Sequence, residues 1–155
     1  MEKRLCPHDG SIMQKDARPL TLTYQGCSAT DQAVPGWYCT TCDEAFFESK
    51  GSQIAARLLN KIKAKVACFL PPPEIRRIRK KLKLTQKDAG LIIGGGVRAF
   101  QKYESGDLLP SQGIDSALRL LDHDPAQLSV LRARNPEKRG RARNHPPAVF
   151  HASEA

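Results

Sequence analysis

Two domains and a tail are what the sequence predicts. The first is a small α+β domain over residues 1–68, built on a cysteine knuckle and closed by a helix. The second is an all-α domain of five helices over residues 69–134 that contains a helix-turn-helix. A disordered basic tail over residues 135–155 follows. Three observations predict this. Residues 1–49 read as short strand-like runs broken by turns. From Ser49 onward the apolar positions recur at helical spacing. Gly94-Gly-Gly separates two short amphipathic segments, the arrangement of two helices joined by a tight turn.

In the first domain, Leu20-Thr-Leu-Thr-Tyr alternates with period two. Gly36-Trp-Tyr-Cys-Thr-Thr-Cys-Asp-Glu-Ala-Phe-Phe reads as strand, knuckle, strand. So short a region buries little apolar surface and needs a staple. Between Ser49 and Ala67, Ile54, Leu58, Ile62 and Val66 recur every four residues with lysines between them, giving a helix. Pro71-Pro-Pro ends it and serves as a stiff hinge.

Five helices fill the second domain. Glu74–Leu82 turns Ile75, Ile78 and Leu82 inward and its arginines and lysines outward. Thr85 caps the next helix with Asp88 as its short-armed capping-box partner, and Ala89, Ile92 and Ile93 form the buried face. The third helix, after the glycine triplet, is expected to bury Val97, Phe100 and Tyr103 and to stop at Gly106. Ile114, Ala117, Leu118 and Leu121 match the helical template of the fourth. Asp124 as cap, Pro125 in the first turn and Gln127 three residues on open the fifth, which buries Leu128 and Leu131.

A formal charge of +9 favours an anionic partner, and nucleic acid is the commonest for a small basic protein. The charge is concentrated: residues 70–135 carry 12 basic and 7 acidic side chains. No run of about 18 apolar residues exists to span a membrane. The N-terminal residues lack the apolar core of a secretory signal, so a cytoplasmic location is expected, with its 5 cysteines reduced.

An odd cysteine count, with Cys39 and Cys42 at knuckle spacing, points to metal instead of a disulfide framework. Structural zinc takes four ligands in a closed tetrahedron. The partner knuckle is Cys6-Pro-His-Asp-Gly, in which Asp9 stands where a second cysteine belongs. The expected ligands are Cys6, Asp9, Cys39 and Cys42, with His8 as an alternative to Asp9 and Cys27 as a weaker third candidate. The rival is a metal-free domain packed around Trp37, Phe46 and Phe47. Cys68, beside Phe69-Leu70, reads as buried filler.

Arg98 and Lys102, four residues apart, project from one face of the third helix toward a DNA major groove. Arginine matches the O6/N7 edge of guanine, and Gln101 could read adenine. Lys83, Thr85, Gln86 and Lys87, at the start of the second helix, suit phosphates, which fix register without reading sequence. A redox dithiol at Cys39–Cys42 is disfavoured, because Asp43 and Glu44 would raise the thiol pKa and no βαβ context surrounds it.

These residues together resemble the MqsA family of antitoxins, which joins an N-terminal zinc domain to an Xre-type helix-turn-helix. The matching stretches are Pro35-Gly-Trp-Tyr-Cys-Thr-Thr-Cys-Asp-Glu-Ala, Pro73-Glu-Ile-Arg-Arg-Ile-Arg-Lys-Lys-Leu-Lys-Leu-Thr-Gln, Gly94-Gly-Gly-Val-Arg-Ala-Phe-Gln-Lys-Tyr-Glu-Ser-Gly and Leu118-Arg-Leu-Leu-Asp. The resemblance implies a protein that binds a toxin through its N-terminal domain, forms a homodimer through its C-terminal domain, and represses its own operon at a palindromic double-stranded operator. The alternative is a stand-alone zinc-domain helix-turn-helix regulator with no toxin partner. Three positions depart from the family pattern. Asp9 replaces a zinc cysteine, and Arg98 and Lys102 stand where the family shows Asn and Arg, which implies a different operator sequence.

Overall fold

A computed structural model describes residues 3–134. Among these residues there are four strands, β1 (Arg4–Leu5), β2 (Ile12–Tyr24), β3 (Cys27–Cys39) and β4 (Ala45–Phe46). Six α-helices follow: α1 (Ser49–Val66), α2 (Pro72–Lys81), α3 (Gln86–Ile92), α4 (Ala99–Ser105), α5 (Gln112–His123) and α6 (Leu128–Ala133). The layout is thus an N-terminal antiparallel sheet in the order β1-β2-β3-β4, then helices. The expected tail, residues 135–155, lies outside the described residues.

β2 and β3 make a long hairpin turning at Gln25-Gly26, both at positive φ (47° and 77°). Pairing runs from Tyr24↔Cys27 to Met13↔Cys39, with an irregularity between Arg18 and Leu20 where Pro19 offers no amide to the ladder. The hairpin is longer than the alternation at residues 20–24 suggests, because Asp16, Arg18 and Asp31 interrupt the apolar pattern yet sit in the strands, Asp16 exposed and Arg18 and Asp31 half-buried.

α1 lies against β2 and β3 and buries Leu58 and Ile62, while Ala64, also buried, lines the side toward the helical half. Its first turn comes so close to β3 that a Cβ at Gly51 would stand 2.0 Å from the Pro35 carbonyl oxygen, so only glycine fits. Trp37 Nε1 donates to Glu48 Oε1 at 3.1 Å, fixing the entry to the helix.

α2 begins at Pro72, earlier than the expected Glu74. Prolines at the first positions of a helix forgo amides that have no intrahelical partner anyway, so Pro72 and Pro73 start this helix as well as ending the previous segment. The linker before it is tied to α5: Arg119 Nη2 donates to the Cys68 carbonyl at 2.7 Å, and the Leu70 amide donates to buried Asp115 Oδ1, also at 2.7 Å. Cys68 itself is exposed at φ 55°, not buried filler. Its carbonyl is held by Arg119 while its side chain is left to solvent.

The helical core joins Ile75, Ile78, Leu82, Leu84, Ala89, Phe100, Tyr103, Leu118, Leu121 and Leu128, with Ile92, Ile93, Ile114 and Leu131 packed around it. Thr85 caps α3 as expected, accepting from the Asp88 amide at 3.1 Å and donating to its carboxylate at 2.6 Å. Gly106 ends α4 in the left-handed conformation at φ 81°. The expected fifth helix is divided. Asp124 accepts from the Ala126 amide, Pro125–Gln127 forms a single 3-10 turn, and α6 follows.

Candidate metal centre and nucleic-acid interface

Two tight backbone turns build the first site. In one, the Gly10 amide bonds the Cys6 carbonyl at 2.9 Å and the Cys6 amide bonds the Ser11 carbonyl at 2.8 Å. In the other, the Cys39 amide bonds the Glu44 carbonyl at 2.9 Å, while the Thr41 and Cys42 amides each reach Cys39 Sγ at 3.4 Å. β1–β2 and β3–β4 hold the turns face to face, over a small core of Cys6, Met13, Trp37 and Cys39.

The ligand atoms of Cys6, Asp9, Cys39 and Cys42 all lie within 4.8 Å of one another. Zinc–thiolate bonds of about 2.3 Å imply a sulfur–sulfur edge of about 3.8 Å in a tetrahedron. Cys6 Sγ stands 3.7 Å from Cys42 Sγ, and Cys39 Sγ stands 3.6 Å from Asp9 Oδ2. The residues fit zinc, and these four make a site consistent with a structural zinc. Four protein ligands close the tetrahedron and leave no position for a substrate. His8, the alternative to Asp9, and Cys27, at the far end of the hairpin, are not part of the group.

Ser11 and Thr41, which the sequence did not single out, steady the unusual carboxylate. Ser11 donates to Asp9 Oδ1 through its amide at 3.0 Å and its hydroxyl at 2.6 Å, and the Thr41 hydroxyl donates to Oδ2. These bonds, Ser11 first, hold the Asp9 carboxyl well below the usual carboxylate range. Burial works to raise the Cys39 thiol, but the Ser11 and Thr41 hydroxyls and two amides outweigh it and lower it to about 6. At Cys42 an amide bond opposes the change, yet burial, the Cys39 and Cys6 sulfurs and the Asp9 charge raise the thiol to about 12. Anionic ligands this close repel one another, and a dication removes that repulsion. Trp37 and Met13 are buried beside the site, whereas Phe46 is 46 % exposed, so the alternative aromatic core is only partly formed.

The second site is the α3–α4 unit. Gly94, Gly95 and Gly96 all take positive φ (135°, 94° and 97°), and the Gly96 amide donates to the Gly90 carbonyl at 3.2 Å. A Cβ at Gly90 would lie 2.0 Å from Gly96 O, so α3 and the turn are in direct contact. On α4, Ala99, Phe100, Tyr103 and Glu104 are buried, and Arg98, Gln101 and Lys102 are exposed on the other side. Arg98 occupies the N-cap instead of lying within the helix, and its carbonyl accepts from the Lys102 amide at 3.3 Å, so the two cations remain one turn apart. Val97, expected in the core, is 51 % exposed: the left-handed glycines swing it outward before α4 begins.

Lys83 is exposed in the α2–α3 turn at φ 56°, and Lys87 is exposed in the first turn of α3. Thr85 is the α3 cap. Gln86 is half-buried, its amide donating to Glu104 Oε2 at 3.0 Å. That carboxylate has no exposed side-chain surface and also accepts from Arg79 Nη2 at 3.0 Å and Arg76 Nε at 3.3 Å. Burial alone would raise its pKa, but Arg79 first among its partners draws it below the ordinary value. Arg79 Nη1 donates onward to the Leu84 carbonyl at 2.8 Å. This network pins α2 and α3 to α4. It was missed in the sequence because Glu104 and Arg79 are 25 residues apart with no local pattern linking them.

A zinc-type site closed by four protein ligands on a small sheet is thus followed by two short helices held across a glycine turn. The family model for the antitoxin component of a bacterial toxin-antitoxin system, MqsA, matches residues 1–132. Antitoxin MqsA of Escherichia coli (strain K12) is 35% identical over 130 residues, covering 82% of this chain and 98% of the relative. The chain belongs to the MqsA antitoxin family, which is regulatory and non-enzymatic. Among the described residues no helix is long and apolar enough to cross a membrane.

Proposed function

We propose that the chain is the antitoxin of a type II toxin–antitoxin pair. It holds its toxin with the zinc domain of residues 1–68, dimerises through residues 69–134, and represses its own operon in the cytoplasm by binding a palindromic operator. The observation that carries the operator reading is the α3–glycine–α4 unit, two short helices across a glycine turn, which we read as an Xre-like helix-turn-helix. Its outward side offers Arg98, Gln101 and Lys102 to base edges, with Lys83, Lys87 and the first turn of α3 placed for phosphates. Gln86, with one amide proton committed to Glu104, keeps its second for a phosphate.

Leu120 on α5 is 69 % exposed and Val130 on α6 is 58 % exposed, apolar surface that favours a twofold contact between C-terminal domains. The toxin partner follows from family membership.

The test has two arms. Selection from a random duplex pool by the purified chain should enrich an inverted repeat, bound by a dimer. Co-expression with the product of the adjacent reading frame should yield a complex retained by residues 1–68. Enrichment without any such complex would favour the stand-alone regulator; no enrichment would end the operator reading.

A further inference from the structure

We propose that Val97 is a base-reading residue, its exposed side chain meeting the C5-methyl group of a thymine in the major groove beside Arg98 and Gln101. The inference rests on the operator-binding reading above. Val97, Arg98, Gln101 and Lys102 are all exposed, while the intervening Ala99, Phe100 and the following Tyr103 and Glu104 are buried. Arg98, Gln101 and Lys102, three and four residues apart, stand on the outward side of α4, and Val97, in the turn just before the helix, completes this exposed set beside Arg98. Val97 is its sole apolar member.

Exposed apolar side chains are ordinary one at a time and need no explanation. Val97 differs in how it is held. Gly96 precedes it with its amide bonded to Gly90 and its carbonyl accepting from the Ala99 amide at 3.0 Å. The same turn sits against α3 so closely that Gly90 admits no Cβ, and the Val97 Cα would lie 3.6 Å from one. The backbone that carries Val97 is therefore fixed on both sides, and a β-branched side chain has few rotamers to choose among. A rigid apolar knob is presented next to a guanidinium and a primary amide, the two groups best matched to purine edges.

Thymine alone carries a methyl group in the major groove, so an apolar knob at that position distinguishes it from every other base. Arg98 and Gln101 would then read polar edges while Val97 reads the methyl, three positions from consecutive exposed residues. Desolvating one methyl against another is worth about 0.8 kcal/mol per buried carbon, or about fourfold in affinity per half-site.

The experiment uses the full chain and the duplex it enriches from a random pool. Each thymine is replaced in turn by deoxyuridine, which removes only the C5-methyl. Wild type should lose about fourfold per half-site at one symmetry-related thymine. Val97→Ser should lose nothing at that thymine, and its affinity for random duplex should equal that of wild type. Val97→Ala, with a smaller apolar group, should show an intermediate loss and guards against a folding defect peculiar to the serine variant. If wild type enriches a sequence but tolerates deoxyuridine at every thymine, or if the loss is the same in all three proteins, the inference is overturned. If wild type enriches no sequence, the operator reading fails and takes this one with it.

Discussion

Arg57 Nε donates to Asp107 Oδ1 at 2.7 Å, joining the helix that backs the sheet to the turn that follows α4. Asn60 Nδ2 adds a bond to the Gly106 carbonyl at 3.0 Å, and Gln53 reaches the same carboxylate at 3.4 Å. Beneath these bonds lies an apolar cleft of about 380 Å³ lined by Ala64, Leu70, Ile75, Tyr103, Leu108 and Pro110 among others. The sheet half and the helical half thus meet through polar bonds at the rim over a space that side chains do not fill.

Exposed ion pairs contribute about 0.2–1 kcal/mol and are screened by salt. Asp107→Ala should therefore leave the melting temperature nearly unchanged while loosening the two halves. Small-angle scattering should show a larger radius of gyration for the variant, and raising the salt should bring wild type toward it. The Arg57 guanidinium holds the Asp107 carboxyl at about 2. Its folded pKa is depressed, so the contact is present above the ordinary carboxylate range and is lost only as pH falls through about 2. An unchanged radius in Asp107→Ala would mean that the halves are held by something other than this contact.

Glu104 gives a stronger prediction. Removing one partner of a buried pair costs about 3–5 kcal/mol, because the other charge is left without compensation. Glu104→Gln should lower the unfolding free energy of the helical half by about that amount, read as a lower urea midpoint, and leave the metal content unchanged. Because its folded pKa is lowered, the stability it contributes is present above the usual glutamate range and is lost as pH falls through the lowered value. Wild type should accordingly destabilise on acidification more steeply than Glu104→Gln. Parallel pH profiles would remove Glu104 from this role.

The metal site predicts one zinc per chain by elemental analysis. Cys39→Ser should abolish it and unfold the sheet region, since a small sheet depends on its staple. Chelation should expose three thiols together, those of Cys6, Cys39 and Cys42. Asp9→Cys should bind zinc more tightly. A single thiol appearing alone on chelation would argue against shared ligation.

For DNA, Arg98→Ala should lower affinity for the enriched operator by about 1–3 kcal/mol and hardly change affinity for random duplex. Lys87→Ala should lower both alike and reduce the salt slope by about 0.9. Mobility-shift titrations across a salt series separate the two. Equal losses in Arg98→Ala on both duplexes would remove its role in reading bases.

Much of this was legible in the sequence because the signals are local. The Thr85–Asp88 cap, the Gly106 stop and the Cys39–Cys42 knuckle are each written within a few residues, and each stands where expected. Asp9 was legible as a candidate ligand because the Cys6 knuckle frame points to it; of its supporting hydroxyls, Ser11 is two residues away with no motif to mark it, and Thr41 comes from the opposite turn, which only folding brings near. Val97 was misread as core because its apolar side chain fits the helical template, while the three left-handed glycines before it decide its direction. Cys68 was misread for a similar reason: a backbone bend at positive φ overrode composition.

The outer border of β2 is sealed by β1 only at Ile12 and Met13, which leaves its backbone from Gln14 to Tyr24 open on that side among the described residues. An unpaired border of that length would ordinarily invite neighbouring molecules to stack on it into fibres. The irregular pairing at Arg18–Leu20 kinks the ribbon, and Lys15, Asp16 and Arg18 crowd it with charge. The interrupted alternation that obscures this strand in the sequence works against such stacking.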